Sequence, residues 1–463
     1  MKLDLAVVNG TAFVDGCFRK CDIGISGGKI AAVCEPGLLP EAAQMIDAGG
    51  HYILPGVVDS HVHIRDPGHA ERENFFTGTR AAAAGGTCTI VEMPTSMPPQ
   101  YKKEILDNRI RIADEQACCD FAMYGAAGGE FPEEITKLAK EGIVAFKTFL
   151  QAPAPNRIQE YVGLTTLDNG AMMRVMTEVA KTKCRLFCHA ESDPMIQENI
   201  RRLRAMGRVD PMAHCESRPP ITEYSVIESL ITMAKATGAK LGLVHVSTVE
   251  GMEMIKKAKY EGMDILAETC PQYLLMDETL MEKVGVYAKC NPPLRKREIV
   301  EKLWDYVNDG TVDFIGSDHS PYCFHEKDPG LTDIFAAPPG FPGMDHHVPL
   351  LLDAALRGKM TLEKLVEMTS IGPARCFNLF PQKGNIAAGA DGDLTIVDPN
   401  GKTLLEKQKS YSLARELYLL HDNEGLRGSV EYTVVRGKIV MDHGVVEESM
   451  RGWGKVVLAT TRE

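Results

Sequence analysis

Two histidines stand one residue apart in the segment VVDSHVHIRDPGH, residues 57–69. His61 and His63 follow an apolar run, and Arg65 and Asp66 come shortly after them. Imidazole is the commonest metal ligand in proteins, and a guanidinium group binds a carboxylate through two parallel hydrogen bonds. The segment therefore suits a metal site with a substrate-binding arginine beside it, but it also suits a polar strand end that happens to contain histidine.

Other apolar runs also end in residues that can bind a metal ion. They are Lys147 in GIVAFKTFL, His189 in CRLFCHAE, His245 in KLGLVHVS and Asp318 in VDFIGSDHSPY. A single histidine at a strand end is more often a hydrogen-bonded structural residue than a ligand. Five separate runs with this ending are hard to reconcile with that explanation, so the set predicts a metal site.

Lys147 is the exceptional member of the set, because an ammonium group repels metal ions and is costly to bury. Its neighbours in GIVAFKTFL are apolar. A lysine in such surroundings loses its proton easily and can add carbon dioxide, which makes it a negative ligand with two oxygens. Such a ligand could bridge two metals. The alternative is a lysine that extends its amine to the rim of the fold.

The apolar runs number eight and alternate with helix-length segments such as ITEYSVIESLITMAKATG, residues 221–238. The runs are continuous in apolar character, as buried parallel strands are. Eight such βα units predict a TIM barrel, whose active sites lie at the carboxyl ends of the strands. All the candidate ligands fall at or near such an end.

Short strands and turns occupy both ends of the chain. They are DLAVVNGTAFVDG and DIGISGGKIAAVC at the amino end, and DGDLTIVDP and YTVVRGKIVMDHGVV at the carboxyl end. We expect residues 1–51 and 391–463 to form one small β-sandwich domain beside a barrel of residues 52–390. The predicted fold class is α/β, a TIM (β/α)8 barrel with a β domain made by both termini.

The composition favours a globular protein without polyanionic partners. Of the 463 residues, 44% are hydrophobic, and the net charge of −12 gives no electrostatic footprint for nucleic acid or an anionic membrane. No segment has transmembrane length or the pattern of a secretory signal. The 13 cysteines lack disulfide or zinc-knuckle spacing. We therefore expect reduced thiols in a cytoplasmic enzyme, with the pair Cys118 and Cys119 packed in the core.

The order of these motifs resembles that of the cyclic amidohydrolases, which comprise dihydropyrimidinases and hydantoinases, allantoinases and dihydroorotases. Nearly the whole chain is covered, through LPGVVDSHVH, TGTRAAAAGGTCTIVEMP, AFKTFL, FCHAES, LVHVST, ETCPQYLL, NPPLR, GSDHSP and GPARCFNLFPQKGNIAAGADGDLTIVDP. The resemblance implies a site for two divalent ions, usually Zn2+, bridged by carboxylated Lys147. The other implied ligands are His61, His63 and Asp318 for one metal, and His189 and His245 for the other.

The resemblance also implies a reaction. Two metals that share a hydroxide supply a nucleophile at neutral pH and polarise the scissile carbonyl group. Asp318 is the expected general base, which takes the proton of the hydroxide and passes it to the leaving ring nitrogen. The product is an open-chain carbamoyl or ureido acid. The implied partner is a small cyclic amide, and relatives of this kind are commonly homodimers or homotetramers.

The motifs indicate more than one ring as the substrate. Arg65 and Asn291 resemble dihydroorotase, where the arginine holds the substrate carboxylate and the asparagine faces the ring. That family expects asparagine in place of Thr95 and histidine in place of Tyr322. Hydantoinases and dihydropyrimidinases carry tyrosine in place of Ala152, where this chain is closer to allantoinases, although MTSIGPARCFNLFPQKG is hydantoinase-like. We expect Arg65, Thr95 and Asn291 to contact a cyclic ureide of hydantoin, allantoin or dihydropyrimidine type, with dihydroorotate as the alternative.

Other interpretations stay open. Arg65 can be a structural residue that pairs with Asp66 or another acid at the barrel mouth. The chain can be a non-catalytic oligomeric scaffold related to dihydropyrimidinases, or a single-metal deaminase, although deaminases lack the lysine. The segment FAAPPGFPGMDHH, residues 335–347, is expected to cover the site, with His346 and His347 at the surface or at a helix start.

Overall fold

The two ends of the chain supply the strands that lie outside the barrel. The computed structural model describes residues 2–419 and 425–459. The strands before the barrel are β1 (Leu3–Val8), β2 (Thr11–Val14), β3 (Cys17–Lys20), β4 (Asp22–Ser26), β5 (Lys29–Cys34), β6 (Ala42–Asp47) and β7 (Tyr52–Pro55). One sheet has four strands in the order β5-β4-β1-β6, and β7, β2 and β3 belong to a second sheet of six strands.

The barrel strands are parallel and neighbour one another in chain order. They are β8 (Val57–Val62), β9 (Thr87–Glu92), β10 (Asp120–Ala126), β11 (Ala145–Phe149), β12 (Arg185–His189), β13 (Lys240–Leu243), β14 (Ile265–Thr269) and β15 (Phe314–Ile315). The first and last strands are joined where the N–H of His63 donates to the carbonyl oxygen of His319 at 2.9 Å. The predicted TIM barrel is therefore confirmed.

Three strands from the carboxyl end complete the six-stranded sheet. They are β16 (Leu394–Thr403), β17 (Leu426–Val435) and β18 (Lys438–Asp442). Strand β16 pairs antiparallel with both β7 and β17. Leu5 and Ile23 from the first sheet pack with Ile53, Ile396 and Val434 from the second in one buried cluster. The two sheets therefore form a sandwich from both termini, as the sequence predicts.

Helices follow the barrel strands and pack around the barrel. They are α1 (Phe75–Ala84), α2 (Lys103–Gln116), α3 (Pro132–Leu138), α4 (Asn169–Ala180), α5 (Asp193–Ala205), α6 (Pro211–Ser217), α7 (Ile221–Thr237), α8 (Val249–Tyr260), α9 (Pro271–Leu275), α10 (Thr279–Val284), α11 (Arg297–Asn308), α12 (His347–Leu356), α13 (Leu362–Val366) and α14 (Gly372–Cys376). In α11, for example, Val300, Leu303, Trp304 and Val307 are buried. This spacing puts them on one helical face, which packs inward.

A single glycine separates the small sheet from the barrel. The apolar run from residue 52 to 63, which predicts one barrel strand, is divided into β7 and β8 with Gly56 between them. A Cβ atom at Gly56 would lie 2.5 Å from the Cβ atom of Asp393, so only glycine fits there. The small sheet therefore continues to Pro55, beyond the boundary expected at residue 51.

A buried ion cluster fixes the small domain to the barrel. The Nζ atom of Lys383 lies 2.5 Å from Asp120, 3.0 Å from Asp391 and 2.7 Å from Asp393. Burial disfavours the ammonium group, but the three carboxylates raise the pKa of Lys383 above its ordinary value. The spacing of these carboxylates would suit a metal ion, but the lysine amine already lies between them.

The cysteines and the long helices bear on two further expectations. The 13 cysteines, which all lie among the described residues, form no disulfide bond, and Cys118 and Cys119 are fully buried in the barrel core, which confirms the predicted core packing of this pair. Within residues 2–419 and 425–459, no helix combines the length and apolar character needed to cross a membrane.

Candidate metal centre and active-site cavity

The first group of predicted ligands comes together from opposite ends of the barrel sheet. His61 and His63 lie at the end of β8, and Asp318 follows β15. The Nε2 atoms of His61 and His63 are 3.2 Å apart. The Oδ1 atom of Asp318 lies 3.3 Å from Nε2 of His61 and 3.6 Å from Nε2 of His63. Two imidazole nitrogens and a carboxylate oxygen therefore face one point, as in a divalent metal site.

The second group lies beside the first. His189 ends β12, His245 follows β13, and the Nδ1 atom of His189 lies 2.9 Å from the Nε2 atom of His245. The ring centroids of His61 and His245 are 5.5 Å apart, so the two groups are adjacent. Burial lowers the pKa of His189 and of His245, which keeps both rings neutral and able to bind a metal.

Lys147, on β11, is near enough to both groups for its charge to act on His61 and His189. Its side chain is fully buried, and its Nζ atom has no hydrogen-bond partner among the residues that the structure describes. Burial lowers the pKa of Lys147 to about 8, and its positive charge in turn lowers the pKa of His61 and His189. An unpaired buried amine among neutral imidazoles fits a bridging carbamate and a pair of divalent cations.

Three of the four histidines are oriented by a hydrogen bond at the nitrogen that faces away from the centre. The Nδ1 atom of His61 lies 2.7 Å from Glu268, that of His63 lies 2.6 Å from the Thr95 hydroxyl, and Nε2 of His189 lies 2.8 Å from Glu191. Such partners fix the ring and the tautomer and leave the opposite nitrogen free for a metal. The sequence predicts no role for Glu268 or Glu191, although both stand in the quoted motifs ETCPQYLL and FCHAES.

Two of the predicted ligands have an unusual backbone conformation. The φ angle is 42° at His245 and 49° at Asp318, which is the left-handed region that residues other than glycine rarely adopt. Such conformations persist where the surrounding structure holds them, and they are frequent at active sites. Burial also raises the pKa of Asp318 to about 6, while His61 and Lys147 oppose that effect.

A cavity of about 810 Å³ opens above this centre and contains the three predicted substrate residues, Arg65, Thr95 and Asn291. Arg65 is 3% exposed, and its Nη2 atom donates to the Ser320 hydroxyl at 2.8 Å. Among the described residues, Arg65 forms no ion pair with a carboxylate, and Asp66 instead accepts a hydrogen bond from Gln116. The structure therefore does not show the salt bridge considered for Arg65.

The other two predicted substrate residues have partners within the protein. The Thr95 hydroxyl is bound to His63. In the amide orientation that satisfies both of its polar groups, Asn291 donates to the carbonyl oxygen of Cys290 at 3.0 Å and accepts from Nη2 of Arg218 at 3.2 Å. Nη1 of Arg218 in turn donates to Glu191 at 2.7 Å. Asn291 is thus linked to the histidine that Glu191 orients.

Tyr322 has several cationic neighbours, which the sequence does not predict. The guanidinium carbons of Arg65, Arg72 and Arg157 lie 5.3, 5.1 and 5.3 Å from the centre of its ring. Arg72 and Arg157 are both ion-paired with Glu160, but Arg65 has no such carboxylate partner in the described part of the chain. Arg65 is therefore the cation of this group that is free to meet an anionic ligand.

The predicted covering segment, residues 335–347, does line the cavity, with residues 335–340. Two buried amines hold it. Lys289 donates to the carbonyl oxygen of Ala337 at 2.5 Å, and Lys327 to that of Pro338 at 2.8 Å. His346 and His347 are buried and not at the surface, and the other alternative, a helix start, is the one observed: His347 begins α12 and His346 immediately precedes it. The Nε2 atom of His347 lies 2.9 Å from a barrel carbonyl oxygen, which explains its burial.

Comparison with known proteins relates the whole chain to enzymes. The amidohydrolase family matches residues 52–440. An L-hydantoinase of Paenarthrobacter aurescens is 33% identical over 457 residues, 98% of each chain, and an allantoinase of Rubrobacter xylanophilus is 36% identical over 451 residues, 97% of this chain and 96% of that one. The solved L-hydantoinase (dihydropyrimidinase) from Arthrobacter aurescens has a TM-score of 0.93 and 32% identity over 98% of this chain and 100% of that chain. A solved D-hydantoinase has a TM-score of 0.91 and 28% identity over 100% of each chain.

A parallel barrel with four histidines, a lysine and an aspartate at its carboxyl end defines a metal-dependent hydrolase with a site for two divalent ions. The chain belongs to the amidohydrolase family. It is an enzyme of the class that hydrolyses C–N bonds in cyclic amides, and the scaffold and deaminase interpretations are set aside.

Proposed function

We propose that this protein opens the ring of a neutral cyclic ureide of the hydantoin, allantoin or dihydropyrimidine type. The observation that carries the proposal is the buried, unpaired amine of Lys147 among four histidines below a cavity of about 810 Å³. The ring types in this proposal are supported by the names of two relatives, an L-hydantoinase and an allantoinase, to which the chain is similar over almost its full length.

The proposed metals are two Zn2+ ions. His61, His63 and Asp318 would hold one, His189 and His245 the other, and carboxylated Lys147 both. Bound divalent ions lower the pKa of water towards neutrality and polarise a carbonyl group. The donor set of imidazoles and carboxylates suits zinc. A carbamate on Lys147 supplies the anion that two adjacent cations need.

Within the chain, Asp318 moves the proton. Its carboxylate is 12% exposed and faces the first group of histidines, so it can accept the proton of the attacking water and deliver it to the leaving nitrogen. One C–O bond forms and the ring C–N bond breaks, with the electron pair going to nitrogen. The product is an open-chain ureido acid. Neither an oxidant nor a second substrate is required.

The surroundings of Thr95 and Arg65 favour a ring without an acidic substituent. The Thr95 hydroxyl is engaged by His63, and threonine has no amide to help a neighbouring arginine hold a carboxylate. An arginine without such a partner binds a carboxylate less firmly. Dihydroorotate is the second candidate, because the guanidinium group of Arg65 is buried beside the cavity and lacks an acidic partner among the described residues.

A panel of rings tests the proposal. We expect kcat/KM for hydantoin, allantoin or dihydrouracil to exceed that for dihydroorotate, and Arg65→Gln to change the preference among rings little. Loss of a buried carboxylate contact costs about 2 to 5 kcal/mol. Efficient hydrolysis of dihydroorotate that falls selectively by this amount in Arg65→Gln would select the second candidate. Arg72→Gln is the matched control, because Arg72 lines the same cavity but is paired with Glu160.

We also propose that the enzyme is a homodimer or homotetramer that works in the cytoplasm. The 13 cysteines, which all lie in the described part of the chain, form no disulfide bond, and reduced thiols are typical of a reducing compartment. Sedimentation velocity of the purified protein measures the assembly, and a monomer at micromolar concentration would contradict that part of the proposal.

A further inference from the structure

Glu268 is a buried carboxylate at the end of β14 that contacts both groups of predicted ligands. It is fully buried. Its Oε2 atom lies 2.7 Å from Nδ1 of His61 and accepts the backbone N–H of His245 at 3.3 Å. One oxygen atom therefore touches a histidine of the first group and the backbone of a histidine of the second.

The neighbouring strands are shaped around this carboxylate. The Ser60 hydroxyl donates to its other oxygen, Oε1, at 3.0 Å. Gly316 follows β15 and faces the same oxygen. A Cβ atom there would lie 2.3 Å from Oε1 of Glu268 and 2.8 Å from the Ser60 hydroxyl oxygen, so a side chain would displace the carboxylate. The position of Glu268 is thus fixed by β8 and by the turn after β15.

The two contacts of Oε2 have different effects. A carboxylate at Nδ1 of His61 holds the proton on that nitrogen, directs Nε2 to the centre and raises the basicity of the ring. His245 has no equivalent side-chain partner, since its Nδ1 atom is buried without a hydrogen bond in the described structure. Its backbone has the rarely adopted φ of 42°, so the hydrogen bond from its N–H to Glu268 helps to hold it there.

We propose that Glu268 is a positioning residue that couples the two halves of the metal centre, so that its loss weakens both metals together. Thr95 and Glu191 differ from it, because each orients the ring of a single histidine, His63 or His189. The inference rests on the two-metal site of the family and not on the proposed ring. It concerns metal binding, which can be measured without a substrate.

Cobalt titration tests this role. Metal-free wild-type protein and Glu268→Gln are titrated with Co2+, and the visible absorption spectrum and competition with a chelator give two dissociation constants. Loss of such an outer partner commonly weakens metal affinity by about 10- to 100-fold. We expect a weakening of that size at both sites in Glu268→Gln, but at one site in Thr95→Val. Unchanged constants, or a change at one site only, would overturn the coupling.

Two further variants separate positioning from general stability. Glu223→Gln is the matched control, because Glu223 is a buried carboxylate that contacts Ser247 and Arg295 but no ligand side chain, so both constants should be unchanged. Ser60→Ala keeps the carboxylate but removes the donor to its Oε1 atom. If Glu268→Gln does not fold, Ser60→Ala tests the coupling instead. A few-fold weaker Co2+ affinity at both sites supports the coupling, and unchanged dissociation constants contradict it.

The outcome also separates this inference from the proposed function. A wild-type protein that binds two Co2+ ions but opens none of the neutral rings argues against the proposed substrate and leaves the role of Glu268 intact. If the wild-type protein binds two ions and opens a neutral ring, and Glu268→Gln has the same two dissociation constants, the role of Glu268 is contradicted. The proposed function is then unaffected.

Discussion

The Nδ1 atom of His189 and the Nε2 atom of His245 face each other at 2.9 Å across two neighbouring barrel strands. The other ring nitrogen of His189 lies against Glu191, which holds a proton there, so Nδ1 of His189 is an acceptor. The two nitrogens would thus offer a divalent cation a pair of imidazole donors, which is a combination that zinc binds.

The first prediction concerns Lys147. Its amine is fully buried and unpaired in the described structure, so a carbamate is the form that best satisfies it beside two cations. We expect wild-type protein to hold close to two divalent ions per chain. Lys147→Ala should lose most of the metal and activity and regain part of both with a small carboxylic acid. Metal analysis by mass spectrometry and turnover with and without acetate or propionate measure this.

Lys289→Ala is the control for that experiment. Lys289 is another buried lysine that lines the cavity, but its amine donates to the carbonyl oxygens of Ile334 and Ala337. Its loss should leave the metal content close to that of the wild type. If Lys147→Ala kept the metal content and the turnover of the wild type, Lys147 would not be a bridging ligand.

The second prediction concerns Asp318, which is expected both to bind a metal and to move a proton. Asp318→Asn keeps the size of the side chain but removes the basic carboxylate. Turnover should fall by about a hundredfold or more, as for a lost general base, while the fold and much of the metal remain. The kcat value at saturating substrate, the metal content and the circular dichroism spectrum are the measurements.

Asp193→Asn is the matched control, because Asp193 lines the cavity and makes no contact with the predicted ligands. Its kcat should stay within a few-fold of the wild type. If Asp318→Asn behaved in the same way, another residue would have to move the proton.

The barrel and the positions of the candidate ligands are readable from the sequence for a simple reason. Parallel strands buried on both faces are continuous apolar runs, and chain order then fixes which end of each strand faces the active site. Even β15, with only Phe314 and Ile315, is recognisable from its apolar run and the polar residues behind it. Lys147 is found in the same way, since a lysine inside such a run is an exception to the pattern.

The side chains that contact the predicted ligands and Arg65 cannot be predicted from apolar runs and chain order. Glu268 stands in ETCPQYLL, but its partner His61 is 207 residues away in the chain; Glu191 stands in FCHAES and is held by Arg218, 27 residues further on. The surroundings of Arg65 come from Ser320 and Tyr322, more than 250 residues away in the chain, so no local pattern reveals them. The burial of His347 likewise depends on a carbonyl group of β15. These contacts join residues far apart in the chain, so they depend on how the whole barrel packs.

The third prediction concerns pH and Glu160, which is ion-paired with Arg72 and Arg157, two arginines that line the cavity. Burial by itself would raise the pKa of Glu160, but hydrogen bonds and charge from Arg157, with Arg65 and Arg72, lower it to about 2. Because this value is below the ordinary pKa of a glutamate, the ionised group stabilises the folded state above about pH 4.5. That stabilisation, at most about 3 kcal/mol, is lost as the pH falls from about 4.5 towards 2.

Glu160→Gln should therefore be less stable than the wild type at pH 7, with a difference in the free energy of unfolding that narrows between pH 4.5 and pH 3. Part of the difference should remain at low pH, because the variant leaves Arg157 buried without its carboxylate partner. Urea unfolding at pH 7, 4.5 and 3 measures it, and loss of metal at low pH affects both proteins alike. Glu133→Gln, at an exposed position in the first turn of α3, should show a difference of at most about 1 kcal/mol, from the loss of a charge near the helix N-terminus. A gap between Glu160→Gln and wild type that stays constant or widens on acidification would mean that Glu160 is not ionised against these arginines in the folded protein.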